Sequence, residues 1–77
     1  MKREYTKEAF AARLRSLIKG KNMTRAKAAQ RCDISQPTFE TYLYAQNQPS
    51  AAQLAKLSCG LQVPSDYLLF GTARAYG

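Results

Sequence analysis

The chain of 77 residues contains no histidine and only two cysteines, Cys32 and Cys59. A structural zinc site takes four Cys or His ligands, so this composition excludes one. Both cysteines fall within predicted helices, at positions that we expect to be apolar and buried. We therefore expect two reduced, buried thiols in a cytoplasmic protein, with a Cys32–Cys59 disulfide as the alternative.

Acidic residues are few, and long apolar runs are missing. The five acids are too scattered to form a pair of catalytic carboxylates, and there is no glycine-rich phosphate loop. We expect no enzyme activity and no cofactor or metal. No apolar run approaches the length of about twenty residues that spans a membrane. Met1-Lys2-Arg3 is followed by Glu4 and an amphipathic pattern, unlike a secretion signal.

Positive charge is concentrated in the first half of the chain. The net charge is +7. From Thr41 onward only Lys56, Asp66 and Arg74 are charged. Such a one-sided distribution is typical of proteins that bind polyanions, although a solvated basic surface gives the same composition. Between Ala9 and Cys32 there is no acid, and the basic residues are Arg13, Arg15, Lys19, Lys21, Arg25, Lys27 and Arg31.

Apolar residues at helical spacing, with capping residues at the ends, predict five helices and no strand. The first extends from Thr6 to Lys19, with Thr6 as N-cap and Asn22 in a left-handed turn after it. The second is capped by Thr24 and ends near Arg31. The apolar stripe of the first helix consists of Phe10, Leu14, Leu17 and Ile18.

The third helix is predicted to begin after an N-cap at Ser35 and to end near Ala45. Asp33 lies in the preceding turn, where a short polar residue tolerates positive φ. Pro37 belongs to the first turn of the helix, where a missing N–H costs little. The sequence Gln46-Asn47-Gln48-Pro49 that follows is typical of a loop.

Two further helices complete an all-α domain that we expect to span residues 1–77. Ser50 and Gln53 form a capping-box pattern for a fourth helix that carries Leu54, Leu57 and Leu61. A fifth helix, 65–70, is opened by Pro64 and ended by Gly71. We expect the core to comprise about residues 6–71 and the tail 72–77 to be frayed.

The segment 24–44 is predicted to form two short helices joined by a tight turn. One face of each is apolar, and the second helix leaves a polar outer strip that begins Ser35-Gln36-Pro37-Thr38. In a helix-turn-helix the first helix supports the second, which offers its polar side chains to DNA bases. The residues predicted to be buried are Ala28, Ala29, Cys32, Ile34, Phe39, Tyr42 and Leu43.

The outward side chains of the third helix are candidate base contacts. Gln36 can form a bidentate contact with adenine, and Pro37 can touch a thymine methyl group. Thr41, one turn further on, suits either a base edge or a methyl group. Glu40 could accept from cytosine, but we favour a role as a partner of Arg31 or as a solvated residue.

Phosphate contacts are expected around the start of the second helix and beyond the end of the third. The N–H groups at Thr24 and the charge of Arg25 can address one phosphate. Tyr44 can reach the other strand. Lys27, Ser35 and Asn47 are further candidates. We expect Arg13, Arg15 and Lys19 to contribute only to the long-range electrostatic field.

The ordered set of residues resembles the helix-turn-helix domains of the lambda-repressor and Cro type, the XRE family. The likeness covers roughly Phe10 to Gly71. It rests on Leu14, Leu17, Met23-Thr24, Ala29, Ile34-Ser35, Asn47-Gln48-Pro49-Ser50, Leu61-Gln62-Val63-Pro64 and Asp66-Tyr67-Leu68. The resemblance implies a compact five-helix domain in which Gln36, Pro37 and Thr41 read bases. It also implies that Thr24, Arg25 and Tyr44 contact phosphates.

Several positions depart from the family pattern. Asp33, Ala45 and Gln62 stand where relatives often have glycine. Many relatives pair a buried arginine late in the first helix with a glutamate at the end of the third. Ile18 and Leu43 occupy those positions here, and an apolar pair can replace a buried ion pair at little cost. We predict that Ile18 and Leu43 touch.

The resemblance implies a bacterial, phage or plasmid transcription regulator, most often a repressor, that binds double-stranded operator DNA. A module of this size makes few base contacts, so we expect a homodimer on a near-palindromic site. Candidate dimer contacts are Leu68, Leu69, Phe70 and Tyr76, although Leu68 is better suited to the core. An antitoxin or anti-repressor that binds a partner protein is the alternative. Membrane binding through the first helix would sacrifice the core stripe, and the aromatic strand pairs that stack RNA bases are missing.

Overall fold

The computed structural model describes residues 5–71. Within that range the chain forms five helices and no strand: α1 (Lys7–Gly20), α2 (Arg25–Arg31), α3 (Gln36–Leu43), α4 (Ala51–Leu61) and α5 (Ser65–Phe70). The fold class and the order of the helices are those predicted from the sequence. None of these helices is both long and apolar enough to cross a membrane.

Local capping fixes where three of the helices begin. The hydroxyl oxygens of Thr6 and Thr24 accept from the amide N–H groups of Ala9 and Lys27, each at 3.1 Å. Ser50 accepts in the same way from Gln53 at 3.2 Å. Ser35 occupies the N-cap position of α3, but its side chain makes no capping bond. A short polar side chain at these positions replaces a hydrogen bond that the first helical turn lacks.

Left-handed residues end the helices and turn the chain. Asn22, Asp33, Ala45 and Gln62 all have φ between 56° and 59°. Three of these, Asp33, Ala45 and Gln62, stand where glycine was expected from the resemblance. The positions therefore keep the left-handed conformation without the residue that adopts it most easily. Because Ala45 is left-handed, α3 ends at Leu43, two residues before the predicted end.

A single apolar core joins the five helices. α1 packs against α3 and α5, α2 packs against α3 and α4, and α4 packs against α5. Ile18 and Leu43, which stand where many relatives have an ion pair, are both buried in this core. The largest fully buried side chains are Phe10, Phe39, Leu14, Leu43, Leu57, Leu61, Leu68 and Cys32.

Two arginines of α1 bind the C-terminal ends of other helices, a role that the sequence did not indicate. The Arg13 guanidinium donates to the Leu68 carbonyl at 3.0 Å and to the Leu69 carbonyl at 2.6 Å. Arg15 donates to the Leu43 carbonyl at 2.6 Å. The last carbonyls of a helix have no partner within it, and a cationic donor there also interacts favourably with the helix dipole. The prediction that Arg13 and Arg15 serve only the long-range field was wrong.

The two cysteines differ in their surroundings. Both are free thiols, but Cys32 is buried and Cys59 is exposed. Cys59 follows Leu57 by two residues, which places it about 200° around the helix from that core position. The prediction that both thiols are buried was therefore wrong for Cys59. Burial, with a smaller contribution from Cys59, raises the pKa of the Cys32 thiol to about 11, so this thiol is protonated at neutral pH.

The predictions for the tail 72–77 and for Tyr76 lie outside the described residues. Among residues 5–71 no group of three or more His, Cys, Asp or Glu side chains is placed to hold a metal ion.

Candidate nucleic-acid interface

The turn between α2 and α3 is fixed from both sides. Ile34 is buried, and its N–H donates to the Ala29 carbonyl at 3.1 Å. Asp33, within the turn, adopts the left-handed conformation. Lys56 of α4 donates to the Asp33 carbonyl at 3.2 Å and lies 3.8 Å from its carboxylate. The small side chains of Ala28 and Ala29 in α2 are fully buried.

One face of α3 is buried and the other carries polar side chains outward. Phe39, Tyr42 and Leu43 point into the core, as their spacing predicted. Gln36 and Pro37 are exposed at the start of the helix. Glu40 and Thr41, which were also predicted to face outward, are half-exposed. α3 therefore presents a short outward ridge, formed by Gln36, Pro37, Glu40 and Thr41, that is most accessible at its N-terminal end.

A chain of polar contacts links this ridge to the start of α2. Gln36 Nε2 donates to Glu40 Oε2 at 3.0 Å. The same Glu40 oxygen lies 3.8 Å from Arg25 Nε. Arg25 in turn donates through Nη1 to the Tyr44 hydroxyl at 2.9 Å. We call these four residues (Gln36, Glu40, Arg25 and Tyr44) the polar network. It brings together three of the predicted DNA contacts.

Donor capacity remains at the exposed end of the network. Tyr44 is 48% exposed, and its oxygen accepts from Arg25, so its own proton is free to be donated outward. The Arg25 side chain is 51% exposed, and a guanidinium has five N–H donors in a planar fork. Arg25 and Tyr44 can therefore supply adjacent donors to one oxyanion.

Local hydrogen bonds limit what the hydroxyl groups of α3 can offer. The Thr41 hydroxyl donates to the Thr38 carbonyl at 2.6 Å, and the Ser35 hydroxyl donates to Thr38 Oγ1 at 3.0 Å. With its proton held by the backbone, Thr41 can present only an acceptor oxygen and a methyl group. This is narrower than the role predicted for Thr41 from sequence.

The remaining candidate contacts lie outside the polar network. Thr24, Lys27 and Asn47 are exposed. The backbone N–H of Asn47 donates to the Thr41 carbonyl at 3.3 Å, which ties the loop after α3 to that helix. Glu40 is the only acid among the candidate residues of this surface. Its ionic partner is Arg25, so the prediction that Glu40 pairs with Arg31 or is merely solvated was wrong. The pairing of Arg25 with Glu40 could not be predicted from sequence, because the two residues meet only once α2 and α3 have packed.

Solved structures of regulatory proteins superpose on most of this chain. The restriction-modification controller protein C.AhdI from Aeromonas hydrophila superposes with a TM-score of 0.78 at 21% identity, over 82% of this chain and 96% of that one. The P22 c2 repressor in complex with a synthetic operator superposes with a TM-score of 0.76 at 25% identity, over 82% of this chain and 96% of that one. The clp gene regulator ClgR from C. glutamicum superposes with a TM-score of 0.72 at 22% identity, over 80% of each chain.

No protein-family profile matches the chain, and no curated protein sequence matches it significantly. The likeness is thus one of three-dimensional structure over most of the chain. The chain has the lambda-repressor-like helix-turn-helix fold that the sequence resemblance implied.

Proposed function

We propose that the protein is a transcription regulator that binds double-stranded DNA sequence-specifically, and that it represses by occupying a promoter. The observation that carries this proposal is the polar network. It joins an exposed amide on the outer face of α3 to exposed donors at the start of α2 and beyond the end of α3. A helix that enters the major groove needs this combination, because bases lie along the groove floor and phosphates along its edges.

Phosphate contacts would position the domain on the duplex. Arg25 and Tyr44 present adjacent donors, and the pair suits the oxygens of one phosphate group. Thr24, Lys27, Ser35 and Asn47 are exposed and would contact the DNA backbone on either side of the groove. The concentration of basic residues before Cys32 adds a favourable long-range potential.

Base contacts would come from the N-terminal half of α3. Gln36 offers an amide donor and acceptor that match the major-groove edge of adenine. Pro37 is exposed and suits the methyl group of a neighbouring thymine. Thr41 contributes its methyl group or accepts from a base amino group, because its proton is held by Thr38. Together these three side chains would read a short half-site.

A homodimer on a near-palindromic operator follows from this small number of base contacts. Two half-sites about one helical turn apart would supply the specificity that one module lacks. Leu69 and Phe70, half-buried in α5, are candidate dimer contacts, whereas Leu68 is fully buried in the core. The structural neighbours, which are a controller protein, a repressor and a gene regulator, support a regulatory role. Such a regulator would act in the cytoplasm.

Selection of bound duplexes from a randomised pool at near-physiological salt tests the proposal. We expect enrichment of an inverted repeat whose half-sites lie about one helical turn apart. Failure to enrich any sequence, together with binding that vanishes as salt rises, would leave only non-specific affinity for polyanions and contradict the proposal. A stoichiometric protein partner recovered from the native host would then favour the antitoxin or anti-repressor alternative.

A further inference from the structure

We propose that Glu40 is a positioning residue that sets the base preference of Gln36, favouring an A·T pair and rejecting a G·C pair. The inference rests on the proposed DNA-binding function and concerns the same surface. Its starting point is the 3.0 Å hydrogen bond from Gln36 Nε2 to Glu40 Oε2, one helical turn away.

The carboxylate determines which way the Gln36 amide faces. An ionised carboxylate accepts hydrogen bonds and donates none, so only the nitrogen end of the amide can point toward Glu40. The Glu40 side chain is 33% exposed and lies beside Arg25, which restricts it further. The amide therefore has one defined orientation before any duplex arrives.

This orientation leaves Gln36 with a definite pattern toward the groove. One of its two amide protons is occupied by Glu40, so one N–H and the carbonyl oxygen remain. Adenine presents the complement: the N7 acceptor and the N6 amino donor. Guanine presents two acceptors, N7 and O6, so the Gln36 carbonyl oxygen would oppose O6. Without Glu40, both amide protons would become available and guanine would be accepted more readily.

Glu40 has a second effect that the test must separate from the first. Its negative charge lies close to where DNA phosphates would lie, so its removal should strengthen binding to every duplex. A ratio of affinities for two duplexes that differ at one base pair cancels this general effect. Asp33→Asn provides a matched control, because Asp33 is another exposed acid of the helix-turn-helix and pairs with Lys56 outside the network.

The experiment measures dissociation constants for the selected duplex and for one in which the pair read by Gln36 is changed from A·T to G·C. Loss of preference in Gln36→Ala identifies that pair. We expect Glu40→Ala to reduce the A·T over G·C preference about fivefold or more, the lower end of what a bidentate contact provides. Glu40→Gln should also reduce it, because an amide at this position can donate as well as accept and lets Gln36 turn over. Asp33→Asn should leave it unchanged.

A double-mutant cycle completes the test. In the Gln36→Ala background, Glu40→Ala should have no further effect on the preference, because its action passes through Gln36. Three results would overturn the inference while leaving DNA binding intact. The first is an unchanged A·T over G·C preference in Glu40→Ala, and the second is an equal loss of that preference from Glu40→Ala with and without Gln36. The third is that the base pair whose preference depends on Gln36 is not A·T. If the wild-type protein shows no sequence preference at all, the proposed function fails and the inference fails with it.

Discussion

Gly60 lies so close to Cys32 that a Cβ atom on Gly60 would stand 2.7 Å from both the Cα and the Sγ atoms of Cys32. The carbonyl oxygen of Arg31 would be equally near, at 2.7 Å. α4 thus crosses the end of α2 at the one kind of residue that permits this approach. Because α2 packs against α3, the proposed recognition helix, this crossing helps to set the position of the proposed DNA-binding surface.

Gly60→Ala should therefore destabilise the protein although alanine is the better helix former. We expect a loss of about 1–3 kcal/mol from overpacking, beyond the gain of about 1 kcal/mol in helix propensity. Urea unfolding measures the free energy. Gly20→Ala is the control, because nothing lies within 4 Å of a Cβ at Gly20 and a small stabilisation is expected there. Equal stabilisation by both substitutions would show that the crossing is looser than described.

Ala45→Gly should stabilise the protein, because Ala45 holds a φ of 59° that costs an L-residue about 1–2 kcal/mol. Glycine loses more chain entropy on folding, so we expect a net gain of up to about 1 kcal/mol. Thermal unfolding checks the sign. Ala55→Gly, at an exposed position within α4, should instead lower stability by about 0.5–1 kcal/mol. If Ala45→Gly lowers the stability as much as Ala55→Gly does, the left-handed conformation of Ala45 is not a source of strain.

Leu43→Glu should lower the melting temperature sharply, since Leu43 is fully buried in the core that also contains Ile18. A buried, unpaired carboxylate costs more than about 3 kcal/mol. The double variant Ile18→Arg with Leu43→Glu should recover part of the loss if the two side chains touch. Leu43→Met, which conserves volume, should cost less than about 1.5 kcal/mol. An unchanged melting temperature in Leu43→Glu, or no recovery in the double variant, would refute the predicted contact.

Arg25→Ala should weaken binding to all duplexes similarly and reduce the slope of log affinity against log salt by about one. The physical reason is that Arg25 would neutralise one phosphate and release its counterion. Arg25→Lys keeps the charge but lacks the planar guanidinium that reaches Tyr44. Its salt slope should therefore lie close to that of the wild type, whereas its affinity should stay below the wild-type affinity. Titrations at several salt concentrations measure both. A selective loss on the preferred sequence would instead assign Arg25 to base reading.

The helices could be predicted from sequence because their ends are decided locally. Thr6, Thr24 and Ser50 each accept from an amide three residues further on, so a short segment contains both partners. The left-handed turns at Asn22 and Asp33 are local in the same sense. Cys59 departs from the prediction because its position, about 200° around α4 from the core residue Leu57, points away from the core.

The contacts between helices could not be predicted in this way. Arg15 and the Leu43 carbonyl are 28 residues apart in sequence, and Arg13 and Leu68 are 55 apart. Lone arginines in a basic helix give no indication of which carbonyl they will reach. The polar network has the same origin, since only the packed arrangement of α2 and α3 brings Arg25 to Glu40. Sequence thus identified the candidate DNA contacts, but not how they are linked.

The most direct test of the proposed recognition surface is the affinity of Gln36→Ala for the selected duplex and for random DNA at one salt concentration. If the outer face of α3 reads bases, the substitution should cost roughly 1–3 kcal/mol on the selected duplex and much less on random DNA. An equal loss on both duplexes would mean that Gln36 holds the backbone or lies outside the groove. That result would contradict the assignment of α3 as the recognition helix.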